Sequence, residues 1–256
     1  MLNGTAIFGH TGLVGGNLLR QTKASHLFNS QNSAEASGAH FDTVYFTAAR
    51  AEKWKANADP TSDAEHVDRL VKLLGSFSTR RLILISTVDV FSDPRGVDED
   101  TTPLVEGQQA YGRNRYRLEL AAREIHPSAL IVRLPGLFGP GLKKNIIFDL
   151  MTNNRLEFIN PASRFQYYGL SNLANDIAIA SESGLRLVHL TSEQIESGRL
   201  AREVFGVTLP PTSESVSVAY DFRTKYAESF GGTGHYQYSA TDTLSAVREF
   251  VEGARS

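Results

Sequence analysis

The chain has 256 residues, 41% of them hydrophobic and 21% charged, with a formal net charge of −2. That length suits one large or two unequal domains, and the near-neutral charge excludes a broad electrostatic attraction to nucleic acid or to an anionic membrane. There is no cysteine, which excludes disulfides, thiolate metal sites and a cysteine nucleophile. No apolar run reaches transmembrane length. Asn3-Gly4 leads straight into a strand-like run with no basic leader before it, so the expectation is a cytoplasmic protein.

In chain order, Thr5-Ala6-Ile7-Phe8 has strand character and runs into a turn with glycines at 9, 12 and 15. A helix is predicted over about 13–23. Glycine at the first position allows a sharp turn, at the second it lets a phosphate approach the backbone, and at the third it lets helix and strand pack closely. The free N–H groups at the helix start favour an anion. Gly9, His10, Thr11, Gly12, Leu13, Val14 and Gly15 are therefore expected to cradle the pyrophosphate of a dinucleotide, with His10 as a loop side chain rather than a catalyst.

Residues 25–29 suit a short second strand and 30–40 a loop or stunted helix. Phe41 to Ala49 reads as a buried strand whose small last residues, Ala48 and Ala49, leave room for a ligand. A helix is predicted over 61–76, capped by Thr61 or Ser62, with Val67, Leu70, Val71 and Leu74 on one face. Trp54 is expected to pack near the crevice. Arg81 to Thr87 is the clearest strand, apolar enough for the centre of a parallel sheet. Residues 92–109 read as a loop and 111–125 as a helix packing through Leu118, Leu120, Ala121 and Ile125. Residues 129–134 form another buried strand, stopped by Pro135-Gly136.

This alternation predicts a doubly wound parallel α/β sheet over residues 1–141. Residues 142–256 read as a smaller, irregular cap for substrate, with room for some segments to return to the sheet: two or three helices to 207, a loop-rich stretch over 208–240, and a last helix over 242–253. The seven histidines show no metal-binding spacing, and no G-x-S-x-G nucleophile turn occurs.

Hydride transfer at a carbinol or carbonyl needs a proton moved at the oxygen. A tyrosine does this when its pKa of about 10 is lowered. Tyr111 and Arg115 stand four apart, on one helix face. Thr87, with Ser86 beside it, can hold the reacting oxygen by a hydroxyl.

The glycine turn, Ser86-Thr87 at a strand end and Tyr111-x-x-x-Arg115 resemble, in order and spacing, the extended short-chain dehydrogenases/reductases, the superfamily of NAD-dependent epimerases and dehydratases. Asp98 to Pro103 and Val132 to Gly141 resemble that group too. The match is good over about the first 140 residues and only suggestive over 145–206. It implies a Rossmann-type sheet and a hydride-transferring oxidoreductase, epimerase or dehydratase acting on a sugar or nucleotide sugar. It makes Thr87 the hydroxyl, Tyr111 the acid/base, and residue 115 a contact to the nicotinamide ribose.

The family has lysine at 115 and this chain has arginine. That keeps a second reading open, a regulatory protein that holds the dinucleotide without turnover, and a third, weaker one, a reductase of a non-sugar carbonyl. Asn29, Ser30 and their neighbours offer neither the acid that favours NAD nor the arginine that favours NADP, so the cofactor is NAD or NADP. Leu134, Pro135 and Leu137 are expected to line the cofactor. Asp89, Asn145, Arg164, Gln166 and Arg223 are expected to meet the substrate. The short second half points to a substrate smaller than a full nucleotide sugar. The family is often dimeric through the tyrosine helix.

Overall fold

The computed structural model describes residues 3–210 and 216–255. The part of the predicted loop-rich stretch at 211–215 lies outside the described residues. In chain order the elements are β1 (Thr5–Phe8), α1 (Leu13–Gln21), β2 (His26–Phe28), β3 (His40–Phe46), α2 (Lys53–Ala58), α3 (Pro60–Leu74), β4 (Ser78–Thr87) and β5 (Arg95–Val97). Then come α4 (Ala110–Ile125), β6 (Leu130–Leu134), β7 (Gly136–Phe138), α5 (Ile146–Thr152), β8 (Arg164–Phe165), β9 (Tyr167–Gly169), α6 (Leu173–Glu182) and β10 (Leu187–His189). The chain ends with β11 (Ile195–Glu196), α7 (Ser197–Phe205), β12 (Asp221–Phe222) and α8 (Ala240–Arg255).

The chain divides into two compact units. The first runs to Ser92 and takes in Thr101–Arg133 and Leu173–Val188; the second takes in Asp93–Asp100, Leu134–Asn172 and the chain from His189. A single cut after residue 141 does not describe this division. α6 and most of β10 return to the first unit, while β5 and β7 belong to the second.

The first unit carries the predicted α/β sheet, in the order β10-β6-β4-β3-β1-β2. β1 lies parallel to β2 and β3, and β3 parallel to β4. The apolar runs of β3 and β4 are buried because both faces of a parallel sheet are covered. One side of the core is aromatic: Phe8 stacks on Phe28 at 4.6 Å and on Phe77 at 5.0 Å, with Phe41 and Phe46 around them.

Several expectations shift here. α3 is capped by Asp59, whose carboxylate accepts from the Ser62 N–H at 3.0 Å, with Pro60 in the first turn. α4 packs through Leu118 and Ala122, whereas Leu120 and Ile125 are exposed. Trp54, expected to be packed, is 67% exposed on the short helix α2, with the Lys55 ammonium 5.4 Å from its ring.

The second unit holds three two-stranded pairs, β11-β8, β12-β5 and β7-β9. Its core is built from Phe138, Ile147, Tyr167, Ile195, Leu200, Leu244 and Val247, among others. β5 inside the predicted loop was missed because its partner β12 lies over a hundred residues later, and three residues carry no period of their own.

Candidate active site

The glycine turn is built as its spacing requires. Gly9 has φ +88°, which side chains resist, and its N–H donates to the Phe28 carbonyl at 2.8 Å. A Cβ on Gly15 would overlap the Gly9 carbonyl and stand 2.7 Å from Thr47 Oγ1, so glycine is what lets α1 sit on β1.

Gly12 is different. It has ordinary extended backbone, φ −81° and ψ 171°, and a Cβ there would meet only the Gly9 carbonyl, at 3.4 Å. Nothing in the protein demands glycine at that point. It is also the N-cap of α1, a nine-residue helix that no side chain caps. An open, uncapped helix start beside a glycine fits a diphosphate.

Around the turn, His10 Nδ1 lies 3.1 Å from the Phe28 carbonyl, a loop contact. Asn29 closes a turn of its own: its N–H donates to Asn32 Oδ1 at 2.7 Å and its Oδ1 accepts from the Gln31 N–H at 2.8 Å. Ala48 and Ala49 pack partly against the core after β3. Leu134, Pro135 and the half-buried Leu137 lie in the second unit.

Thr87 ends β4 and caps the turn Val88–Val90, its Oγ1 accepting from the Asp89 N–H at 3.2 Å. α4 begins against that turn. A Cβ on Gly112 would overlap the Asp89 carbonyl, and Gln108 Nε2 bonds the Val90 carbonyl. Asn57 Oδ1 accepts from the Tyr111 N–H at 3.0 Å and fixes the first turn of α4. Asp89 bonds Lys53 at 2.7 Å.

Ser86 does not join Thr87 as a second hydroxyl at the site. Successive strand residues face opposite ways, and Ser86 Oγ donates to Glu119 Oε1 at 2.5 Å. Glu119 is in turn forked by Arg133, at 3.0 and 2.7 Å, and that guanidinium lies 5.0 Å over the Phe91 ring. Glu119, Arg133 and Phe91 are buried and Ser86 is half-buried.

The predicted Tyr111–Arg115 pair is present, with the guanidinium 4.4 Å over the phenol ring. Both groups are buried, Tyr111 to 7% and Arg115 to 3% exposure. The sequence reading missed the partner. Arg115 Nη1 donates to Asp63 Oδ2 at 2.9 Å, and Nη2 to Asp63 Oδ1 at 3.0 Å and to the Arg50 carbonyl at 2.6 Å. Asn114 Nδ2 also donates to Asp63, at 2.8 Å. Burial works to raise the Asp63 pKa, but the Arg115 and Asn114 hydrogen bonds outweigh it and hold the carboxyl below its usual range.

The consequence for Tyr111 runs against the expected lowering. Burial pushes its phenol up to about 12, Arg115 pulls against it, and Asp89 and Asp63 add to the rise. Arg115 Nε is buried with no hydrogen-bond partner. One turn along α3 from Asp63, burial and the nearby Arg50, Arg115 and Arg69 lower His66 to about 4.

Of the residues expected to meet substrate, most have structural partners. Asn145 caps α5, accepting from the Phe148 N–H at 3.1 Å and donating to the Leu137 carbonyl at 2.8 Å. Gln166 is buried and bonds Thr191, the Ser192 carbonyl and both main-chain groups of Phe222. Arg223 forks onto Asp221 at 3.0 and 2.6 Å, where Tyr236 Oη also donates. Arg164 is exposed, and the period of the strand turns it away from a cavity that its neighbours Ser163 and Phe165 line.

That cavity, about 490 Å3, lies in the second unit, with Ile146, Asp149, Arg155, Phe158 and Asn160 among its walls. The Arg155 guanidinium lies 4.9 Å over the Phe158 ring. The non-glycine residues with positive φ among the described residues, Asn145, Asn153 and Arg155, all fall in this stretch. Among the described residues no cluster suits a metal ion, and no helix is long and apolar enough to cross a membrane.

A parallel sheet led by a glycine turn places the first unit among the Rossmann-type α/β proteins. Residues 25–158 match the family described as NAD dependent epimerase/dehydratase, and the chain belongs to that family. No curated protein matches the sequence. Among solved structures, the chain is similar to a dTDP-4-dehydrorhamnose reductase from Clostridium acetobutylicum, with 14% identity, TM-score 0.75 and coverage of 99% of this chain and 100% of that one. It is similar to MoeE5, solved with UDP-glucose and NAD, at 14% identity and TM-score 0.74 over 99% of this chain and 100% of that one. A dTDP-4-dehydrorhamnose reductase from Bacillus anthracis, solved with NADP, gives 16% identity and TM-score 0.73 over 98% and 99%. These neighbours are spanned almost end to end.

Proposed function

We propose that the protein is an NAD(P)-dependent oxidoreductase, epimerase or dehydratase acting on a hydroxyl or carbonyl of a nucleotide sugar. A bound nicotinamide dinucleotide supplies or takes up the hydride. The protein's residues do the rest. Gly9 to Gly15 and the start of α1 hold the diphosphate, and Thr87 Oγ1 hydrogen-bonds the reacting oxygen. Tyr111 Oη moves the proton at that oxygen, and Arg115 lies against the ring. The cavity beside Arg155 and Phe158 has the stacked cation, aromatic wall and polar rim that suit a nucleotide base.

The observation that carries this reading is Gly12, a glycine that the fold itself does not need, at an uncapped helix start. Family membership and neighbours solved with NAD, NADP and UDP sugars support it. The test is single turnover: protein is mixed with NAD or NADP in either redox form and a panel of UDP and dTDP sugars, and both absorbance at 340 nm and conversion of the sugar are followed. Turnover with at least one sugar, lost in Tyr111→Phe, is the expected result.

A second reading, dinucleotide binding without turnover, draws on the Asp63–Arg115 ion pair and the raised Tyr111 phenol. It predicts cofactor binding with no absorbance change and no conversion of the sugar across the panel. We also infer a cytoplasmic location, and a dimer through α4 as the alternative to a monomer.

A further inference from the structure

The arginine at 115 changes more than the length of a side chain. A lysine ammonium is a point charge with rotatable donors, whereas a guanidinium is a planar fork that matches a carboxylate. Asp63, on α3, meets that fork with both oxygens, and the Arg50 carbonyl takes the remaining direction of Nη2. The pair is almost wholly buried on both sides, at 3% and 4% side-chain exposure. A buried ion pair of this kind presents little net charge to a third group beside it. The third group is Tyr111, whose ring centre lies 4.4 Å from the guanidinium carbon.

The charged groups facing Tyr111 come from each element packed on it. Arg115 lies on its own helix. Asp63 lies on α3, one turn from the depressed His66. Asp89 follows β4 and is paired with Lys53 of α2, and the loop before α2 contributes the Arg50 main chain. Set against one cation are two carboxylates and the loss of water, and the balance favours the protonated phenol.

We propose that Asp63 is a positioning residue for Tyr111: by taking both terminal nitrogens of Arg115 into one buried ion pair, it holds the guanidinium over the ring and cancels its charge, so that Tyr111 works with its proton on, as donor to a substrate carbonyl oxygen. This rests on the assignment of Tyr111 as the acid/base. In that direction the carbonyl carbon accepts a hydride from a reduced nicotinamide dinucleotide, and the carbonyl oxygen accepts the Tyr111 proton. The products are an alcohol and a phenolate, which regains a proton from water. The carbonyl π pair becomes the new O–H bond, and the hydride pair becomes the new C–H bond.

The test reads tyrosine ionisation directly, by absorbance at 295 nm against pH, without cofactor or substrate. The first arm subtracts Tyr111→Phe from the wild type. The difference is expected to stay flat to about pH 10, the ordinary tyrosine range, and a step below about pH 9 would overturn the proposal. The second arm subtracts Asp63→Asn/Tyr111→Phe from Asp63→Asn. With the carboxylate gone, Arg115 acts unopposed, and the Tyr111 step is expected at least about one pH unit lower than in the wild type. An unchanged position would also overturn the proposal. Asp63→Glu, which restores the charge, is expected to return the flat difference; a purely structural role for Asp63 would move stability in these variants and leave the titration where it was. Should Asp63→Asn fail to fold, the first arm alone decides, since Tyr111→Phe keeps the ring and both partners. Dinucleotide titration of the same wild-type sample separates the two claims. No binding would remove the functional reading and leave the ionisation result standing.

Discussion

α4 carries two buried arginine–carboxylate forks one turn apart, the nearer to its start at Arg115 and the farther at Glu119, and they differ in a way that separates structure from chemistry. At the farther one Glu119 is met by Arg133 and by Ser86, and the cluster sits between helix and sheet. At the nearer one Arg115 is met by Asp63, yet its Nε has no hydrogen-bond partner, and the ring it covers belongs to the residue expected to move protons. A fork closed on every side fixes a helix on a sheet. One left partly open, against a phenol, suits a site. Arg115 Nε shares its lack of a hydrogen-bond partner, among the described residues, with His66 Nε2, Gln108 Oε1 and Tyr167 Oη, and what sets it apart is the phenol ring under the same guanidinium.

The largest expected effect breaks the closed fork. Glu119→Gln leaves Arg133 buried without its counter-ion and should lower stability by about 3–5 kcal/mol in urea unfolding. A loss below about 1 kcal/mol would mean that water reaches the cluster. Next comes Tyr111→Phe, which should reduce turnover by about 10²–10⁴-fold while leaving dinucleotide affinity and unfolding midpoint close to wild type. Equal losses in binding and turnover would make Tyr111 a packing residue and erase the contrast between the two forks.

A third change works on the near fork alone. Removing both charges, in Asp63→Asn/Arg115→Gln, should destabilise by at least about 1 kcal/mol less than Asp63→Asn by itself, because no unpaired charge is left behind. Denaturant unfolding of the two variants checks it.

The smallest effect concerns pH. His66 is held neutral in the fold, with its pKa lowered to about 4, while in the unfolded chain it titrates near its ordinary value of 6.5. The unfolded state therefore binds the extra proton first. Stability from this group is complete above about pH 6.5 and declines as pH falls toward 4. With partial solvent screening the decline is of order 1 kcal/mol. Unfolding at pH 7 and pH 5 should show a smaller difference in His66→Leu than in the wild type.

Much of the first unit was legible in the sequence because its signals are local. The glycine turn, the apolar run of β4 and the four-residue spacing of Tyr111 and Arg115 each lie within a few residues. What was missed depends on residues far apart in sequence. Asp63 and Arg115 are brought together by the packing of α3 on α4, and no local pattern joins them. β5 and β12 are recognisable only as a pair. Ser86 was a different kind of miss: strand alternation already turns it away from Thr87, and a period of two applied to β4 would have separated them. In the second unit Asn145 and Gln166 were chosen by likeness to family positions and Arg223 for its charge, but their side chains cap a helix or tie loops together. Polar residues in an irregular region serve the backbone first, because loops leave many main-chain groups to be satisfied.

The central claim is that the first unit holds a nicotinamide dinucleotide over the start of α1. Calorimetric titration of the wild type and Gly12→Ala with NAD and NADP, oxidised and reduced, tests it most directly. The wild type should bind at least one of these forms. Gly12→Ala should lose at least about tenfold in affinity while its unfolding free energy stays within about 1 kcal/mol, since the added methyl meets only one carbonyl at 3.4 Å. No association with any form, or equal binding by both proteins, would contradict it.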